Sequence, residues 1–379
     1  MKTIVCYDDN PDYGGHQVMA CLAVEALAKA KDIRLVFFYS PENNRLRRRL
    51  SQIQAGSTAM ELRATPFRTR KLQGLRNRFA RKFVHALSVL LASEKPDLLL
   101  CIQGEIEHAS LALCAGKQME CPCISYIPIP HRMAVMGAKL GMLRDRINTY
   151  LFRRPDGWIT ISESMKTLLE QRGTKRPIRV VQNGIDTTRF SPLAKQAART
   201  ALGLPEYKTL IGNIGRMEFN QKQQDFLART FSKAWKEQEE MHLVLVGDGP
   251  DSPRLHSLVH ELGIQKQVSL LPWQEESALV YSALDMLIIP SRFEGVPLVM
   301  LEALACGTPV IASARDGMKD LLPAAWTFEP ENGNALIATY EYVSKVWKNE
   351  IDALQTKIRT EHTIQVFQHN FEQALRSFM

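Results

Sequence analysis

One pattern, run through twice, constrains this chain most: a short apolar run of strand length, a turn-rich loop, then a stretch with helical spacing. The first series opens with Thr3 to Tyr7 and a loop from Asp8 to Gly15. Gln17 to Lys29 follows, where Val18, Cys21, Leu22 and Ala26 recur at helical rather than alternating intervals. Apolar runs at 33–39, 96–102, 123–127, 156–161 and 178–182 continue the series. Beyond the proline-bounded stretch 192–205, strand-like runs at 209–214, 242–246, 268–271, 285–290 and 310–312 alternate with helical stretches at 223–238, 253–262, 276–283 and 297–305. Parallel strands need a crossover between them, so strand–helix alternation predicts a parallel sheet. Two such series predict an α/β protein with two doubly wound domains, which we place at 1–187 and 188–359. The stretch from Glu350 to Phe378 is helical by pattern, and its end, 360–379, is expected to pack back on the first domain. Ligands in such sheets sit at the carboxyl ends of the strands, so the two domains are expected to face a central cleft.

The chain has 379 residues, 45% hydrophobic and 23% charged, which excludes a disordered tail, a collagen-like fibre and a disulfide scaffold. Its seven cysteines lie mostly in apolar runs and read as buried thiols in a reducing compartment. Cys121-Pro122-Cys123 has one residue too few for a CxxC redox or zinc site, and no metal site is expected. Met1-Lys2 leads into an apolar run that stops at Asp8-Asp9, which does not read as a secretory leader. No apolar run approaches the roughly 18 residues of a membrane span. The expected location is the cytoplasm, either free or attached at the inner face of the cell membrane.

Charge is concentrated. Between residues 45 and 82 there are twelve Lys or Arg against one acid, Glu61, whereas the whole chain is only +8. Such a patch attracts anions. We expect this segment to be helical and surface-lying, broken at Pro66, with Leu46, Leu50, Ile53, Phe67, Leu72, Leu75, Phe79 and Phe83 interleaved among the charges as in an interfacial element. An anionic membrane surface or acceptor phosphates fit it. Nucleic acid does not, since aromatics are few and no binding motif is present. A solvated, charged face is the plainer reading of the same residues.

The sharpest motif is Pro290-Ser-Arg-Phe-Glu294-Gly-Val-Pro-Leu-Val-Met-Leu-Glu302-Ala-Leu-Ala-Cys-Gly-Thr-Pro309. It reads as strand, loop, helix, with Pro297 in the first helical turn and Gly307 at the stop. The helix start leaves the amides of Leu298 and Val299 without intrahelical acceptors, so they can hold a diphosphate. Glu294 and Glu302 would stand about 12 Å apart along a continuous helix and serve different parts of one elongated ligand. A carboxylate can accept two hydrogen bonds from vicinal sugar hydroxyls. A helix-dipole partner and a solvated side chain are the plainer readings of the pair. Arg216 and Lys222, beside Gly215, add a guanidinium fork and a point charge suited to a departing diphosphate.

These residues resemble the E-x7-E motif of retaining GT-B glycosyltransferases of family 4. Gly215-Arg216 with Lys222 is similar to that family's donor-diphosphate pair, and Leu243 to Pro250 to its second-domain strand and turn. Val268 to Trp273 resembles the segment lining its base pocket, Asn183 to Asp186 its interdomain passage, and Tyr13-Gly14-Gly15 its first glycine-rich loop. The resemblance implies two Rossmann-like domains and a nucleoside diphosphate sugar, UDP ahead of GDP, held mainly by the second. It further implies that Glu302 binds the ribose hydroxyls and Glu294 the sugar hydroxyls, with Val296 among the donor contacts, and the small backbone at Gly295 lets the ligand approach closely. On the first domain it points to His131, after the strand 123–127, near the sugar. Arg132 follows it where an aspartate is common. Gly15 joins the donor contacts, and Asp12, Gly14 and His16 are acceptor-side candidates. Retention would proceed by front-face transfer without a protein nucleophile or a metal, to a glycan or glycolipid acceptor in cell-surface polysaccharide or lipopolysaccharide synthesis. The rivals are a nucleotide-sugar epimerase or glycan phosphorylase on the same fold, the latter without a visible pyridoxal lysine motif, and an inactive sugar-nucleotide-binding module.

Overall fold

The computed structural model describes residues 1–379 and contains two all-parallel sheets. The first holds β1 (Lys2–Asp8), β2 (Ile33–Tyr39), β3 (Met60–Ala64), β4 (Leu98–Ile102), β5 (Cys123–Tyr126), β6 (Gly157–Thr160) and β7 (Ile178–Val180) in the order β3-β2-β1-β4-β5-β6-β7. The second holds β8 (Thr209–Ile214), β9 (Met241–Val246), β10 (Val268–Leu271), β11 (Met286–Ile289), β12 (Val310–Ser313) and β13 (Thr327–Phe328) in the order β10-β9-β8-β11-β12-β13. The chain divides into two compact units, Met1–Asn183 with Gln365–Met379, and Gly184–Ile364. Both are doubly wound α/β structures.

Helices on both faces bury the central strands, which is why they read as unbroken apolar runs. Leu98–Ile102 and Met241–Val246 are buried at every position, whereas the edge strand Val268–Leu271 is half-buried throughout. Each sheet reverses its winding once, at β1/β4 in the first unit and β8/β11 in the second. The crevice at such a reversal is where open α/β sheets bind ligands. Local signals also hold: the hydroxyl of Ser162 accepts from the Met165 amide and caps the helix Glu163–Gln171.

The basic segment departs from expectation. It is a helix (Asn44–Ala55), then the edge strand β3, then two short helices (Gln73–Phe79 and Arg81–Ala92). The strand forms because Met60-Glu-Leu-Arg-Ala64 pairs with β2 in register, Leu35 against Met60. Charged Glu61 and Arg63 suit an edge strand, where they discourage further pairing. Leu46, Leu50 and Ile53 face the core rather than an interface. Phe67, Leu72 and Leu75 are half-buried, and only Phe79 and Phe83 remain bare.

The C-terminal helical stretch is also not continuous. A long helix, Gly333–Glu361, is separated from Ile364–Arg376 by two residues. There the backbone turns aside to pair with Ile185: its amide donates to the His362 carbonyl and its carbonyl accepts from the Ile364 amide. The last helix packs within the first unit. Phe371 meets Tyr126 edge-on at 5.4 Å, Gln368 donates to the Leu22 carbonyl, and Arg376 grips Asp32 with two hydrogen bonds. Gly157 lets the Phe378 ring approach the backbone there, since a Cβ would lie 2.2 Å from it. No helix is long and apolar enough to cross a membrane.

Candidate functional site

In the second unit the loops after β8, β9, β11 and β12 meet at the carboxyl edge of the sheet. Gly215 follows β8 and Gly247 follows β9, and their backbones touch. A Cβ on Gly247, whose φ is +135°, would stand 2.1 Å from the Gly215 carbonyl oxygen. Only glycine permits that approach and that backbone conformation. Beyond it the Met217 amide donates to the Asp248 carbonyl at 3.0 Å.

Lys222 does not lie in an open loop. It ends a single helical turn, Phe219–Lys222, pinned at its start by the Phe219 amide on Asp251. The turn is tied to the motif loop by the Arg292 amide on the Gln221 carbonyl and by Gln221 Nε2 on the Phe293 carbonyl. The Lys222 stem passes the open face of Gly215, within 3.9 Å of where a Cβ would stand. Its Nζ then donates to Glu294 Oε1 at 2.5 Å. The side chains are 21% and 6% exposed, so the ion pair is largely shielded and spans the β8/β11 reversal.

Glu294 is held from its other side. Its amide donates to the Asp316 carboxylate, and the Gly295 carbonyl accepts from the Gly317 amide at 3.0 Å. Asp316 itself has φ of +51°, a conformation that places its side chain at the loop at the expense of backbone strain. Val296 is buried, and Pro297 is the N-cap of the helix Leu298–Ala305 rather than a member of its first turn. The first local bond there is from the Met300 amide to the Pro297 carbonyl, so the amides of Leu298 and Val299 precede it. On this helix Leu298, Val299 and Glu302 are half-buried and the rest are buried. Spacings of three and four residues put them on one stripe running away from the helix start.

Glu302 is not a solvated side chain. The Tyr281 hydroxyl donates to its Oε2 at 2.5 Å. Burial raises the carboxyl pKa, while the Tyr281 hydrogen bond and the nearby Arg189 charge oppose the rise. Arg189 is steadied by a hydrogen bond to the Glu275 carbonyl. Arg216, by contrast, is exposed, and its guanidinium lies 3.6 Å from Glu218. The structure therefore brings Gly215, Lys222, Glu294 and Gly295 together beside the start of the helix, and leaves Arg216 turned to solvent. Trp273 stands half-exposed after β10, with its amide on Asp248.

In the first unit the corresponding reversal carries a polar cluster. Asp8, at the end of β1, accepts from the Asn10 amide and from Gln17 Nε2. Burial above all pushes its pKa up to about 7. Gly14 caps the helix Gly15–Lys29, and its amide donates to Gln17 Oε1. His16, in the first turn, stacks on His108 at 6.3 Å. Its pKa is held down to about 3, first by burial and then by His108. Gly104 lies against both rings, where a Cβ would approach His16 to 2.7 Å. Asp12 is exposed and its amide closes a turn on Asn10, as a turn former would. His131 is half-buried in the loop after β5. Tyr281, Asp316 and His108 carried no sequence signal that set them apart. The dipeptide Asp316-Gly317 after a strand is the nearest thing to one.

The comparisons with known proteins accord with this architecture. The family described as Glycosyltransferase Family 4 matches residues 13–189, and that described as Glycosyl transferases group 1 matches residues 208–345. A D-inositol 3-phosphate glycosyltransferase of Mycolicibacterium gilvum is 33% identical over 224 residues, covering 50% of this chain and 49% of that protein. Another, from Mycobacterium sp. strain KMS, is 39% identical over 149 residues, 37% of this chain and 33% of that protein. The matched stretch thus spans a third to a half of these curated relatives. Among solved structures, Anabaena HepE in complex with UDP and glucose superposes with a TM-score of 0.80 over all of both chains at 18% identity. Sucrose-phosphate synthase from Thermosynechococcus elongatus does so at 0.77 and 20% identity, covering 100% of this chain and 99% of that one. With one family match in each half and two Rossmann-like parallel-sheet units, the chain carries a glycosyltransferase family 4 domain followed by a glycosyl transferases group 1 domain and has the GT-B fold.

Proposed function

We propose that this protein is a retaining, metal-independent glycosyltransferase that moves a hexose-type sugar from a nucleoside diphosphate sugar to a glycan or glycolipid acceptor in cell-surface polysaccharide or lipopolysaccharide synthesis. The observation that carries the reading is the convergence of Gly215, Lys222 and Glu294 at the β8/β11 reversal, beside the first amides of the helix Leu298–Ala305. A cation and unpaired amides at one point suit a diphosphate. Glu294 beside them suits a sugar hydroxyl, and the stripe through Glu302 offers a second carboxylate for the ribose. UDP is the first choice of nucleotide. The UDP and glucose bound in the HepE complex support it.

In the step we envisage, the acceptor oxygen bonds to the anomeric carbon as its bond to the β-phosphate oxygen breaks. The departing phosphate takes the acceptor proton on the same face, which preserves the anomeric configuration. Lys222 and the helix start stabilise the charge that grows on the phosphate. Arg216 can join them by a rotation of its exposed side chain. His131, Asp12, Gly14, Gly15 and His16 belong to the first unit and would serve the sugar and acceptor side. The charged face of the segment 45–82 would dock the protein on an anionic membrane at the cytoplasmic face.

A thermal-shift screen of nucleotide sugars tests the donor assignment, because a ligand bound only by the folded form raises the melting temperature. We expect UDP-sugars to stabilise the protein and slow donor hydrolysis to vanish in Glu294→Ala and Lys222→Ala. Turnover and donor affinity untouched by both substitutions would refute the site. An inverted anomeric product by NMR would refute retention, and turnover abolished by a chelator would refute metal independence. Equal binding to neutral and anionic vesicles would refute the membrane reading.

A further inference from the structure

At the carboxyl ends of β2 and β3, within the first unit, lies a cavity of about 790 Å³. Ligand sites range over roughly 300–1,000 Å³, so it can hold a small molecule. Part of its lining is apolar, from Phe67, Leu75, Phe79 and Phe83, with Phe67 and Phe83 edge-on at 6.2 Å. Phe79 is 82% exposed and Phe83 60%, unusual for phenylalanines that no other part of the fold covers. The break between the helices Gln73–Phe79 and Arg81–Ala92 at Ala80 presents both rings to the same cavity.

The lining is also cationic. Arg68, Arg70 and Arg76 line it against one acid, Glu42. Arg68 is paired with Glu42 at 2.6 Å, and Arg76 Nε is spent on the Lys71 carbonyl. Arg70 and Arg76 face no carboxylate, so the cavity keeps two uncompensated positive charges. Bare phenylalanines that want covering and two guanidiniums that want an anion, in one lining, describe an amphiphile. A phosphate monoester carries about −1.5 to −2 charges at neutral pH, which matches the surplus.

We propose that this cavity binds one molecule of a phosphate-bearing lipid, its apolar chain along Phe79 and Phe83 and its phosphate on Arg70 and Arg76. Resting on the transferase reading, the site names the acceptor as lipid-linked. The ligand is a single amphiphile held in a cavity, which differs from a bilayer held on a charged face.

The test uses the full chain and decyl phosphate below its critical micelle concentration, with decanol and inorganic phosphate as controls, read by calorimetry. We expect one decyl phosphate per protein, bound at least tenfold more tightly than either control. Phe79→Ser should weaken decyl phosphate and decanol alike by about tenfold. Arg70→Gln with Arg76→Gln should reduce decyl phosphate to the level of decanol. Melting curves of these surface variants establish that they fold. Binding of decyl phosphate no tighter than of decanol or phosphate would overturn the proposal. So would affinity untouched by the substitutions, or binding to anionic vesicles with none to monomeric decyl phosphate. Stabilisation by UDP is measured in parallel on the same variants and should not change. Its loss in wild type would defeat the donor reading while leaving the lipid site standing.

Discussion

Replacing Lys222 with Met leaves the Glu294 carboxylate, 6% exposed, without its ammonium partner. Removing one member of a buried pair costs about 3–5 kcal/mol. Lys222 keeps 21% of its side chain in water, so solvent screens part of the pair. We therefore expect a loss of about 2 kcal/mol. In a domain of roughly 150–250 residues each kcal/mol moves Tm by about 2–4 °C, so the transition of the second unit should fall by about 4–8 °C. Glu294→Gln should cost less, about 1 kcal/mol, because the freed ammonium can turn to water. The double variant holds no buried charge and should lose only about 1 kcal/mol, less than Lys222→Met alone, which corresponds to a coupling of about 2 kcal/mol. Calorimetry with UDP adds the functional half. Lys222→Met should forfeit a charge-assisted hydrogen bond of about 1.5–3 kcal/mol, roughly ten- to a hundredfold in Kd. Glu294→Gln should bind UDP as wild type does and weaken only the UDP-sugar. A double variant that loses the sum of the two single losses, or a Lys222→Met protein with unaltered UDP affinity, would refute this account of the pair.

The cluster in the first unit has a pH signature with opposed signs. His16, held at about 3 when folded against about 6.5 unfolded, contributes stability that is present above pH 6.5 and lost as the pH falls. Asp8, raised to about 7 from an unfolded value near 3.9, contributes stability that is present below pH 4 and lost as the pH rises towards 7. Relative to wild type, Asp8→Asn should therefore gain stability as pH rises from 4 to 7, and His16→Gln should lose it, by up to about 1.4 kcal/mol per pH unit each. Variants whose Tm-against-pH curves run parallel to wild type would contradict both assignments. Gly247→Ala should lower stability by about 1–3 kcal/mol and UDP affinity with it, since its methyl meets the Gly215 carbonyl at 2.1 Å. Melting and UDP titration of this variant indistinguishable from wild type would mean the two loops are not in that contact.

Alternation of apolar runs with helical stretches was enough to predict two parallel sheets, because each strand–helix pair is a local signal and the crossover rule does the rest. Glu294, Gly295 and the helix after them were legible for the same reason: loop, glycine, proline and helix follow one another within a dozen residues. The basic segment misled, since charge content does not reveal that Met60–Ala64 finds β2 as a neighbour or that Leu46, Leu50 and Ile53 find a core. The partners were decided by the tertiary structure alone. Lys222 and Glu294 are 72 residues apart and meet only because the sheet reverses between β8 and β11. Tyr281 reaches Glu302 from a separate helix, and two bare phenylalanines share a cavity with three arginines. Periodicity along a chain reports which face of an element is buried. What stands across from that face depends on strand order and helix packing, which no local run of residues encodes.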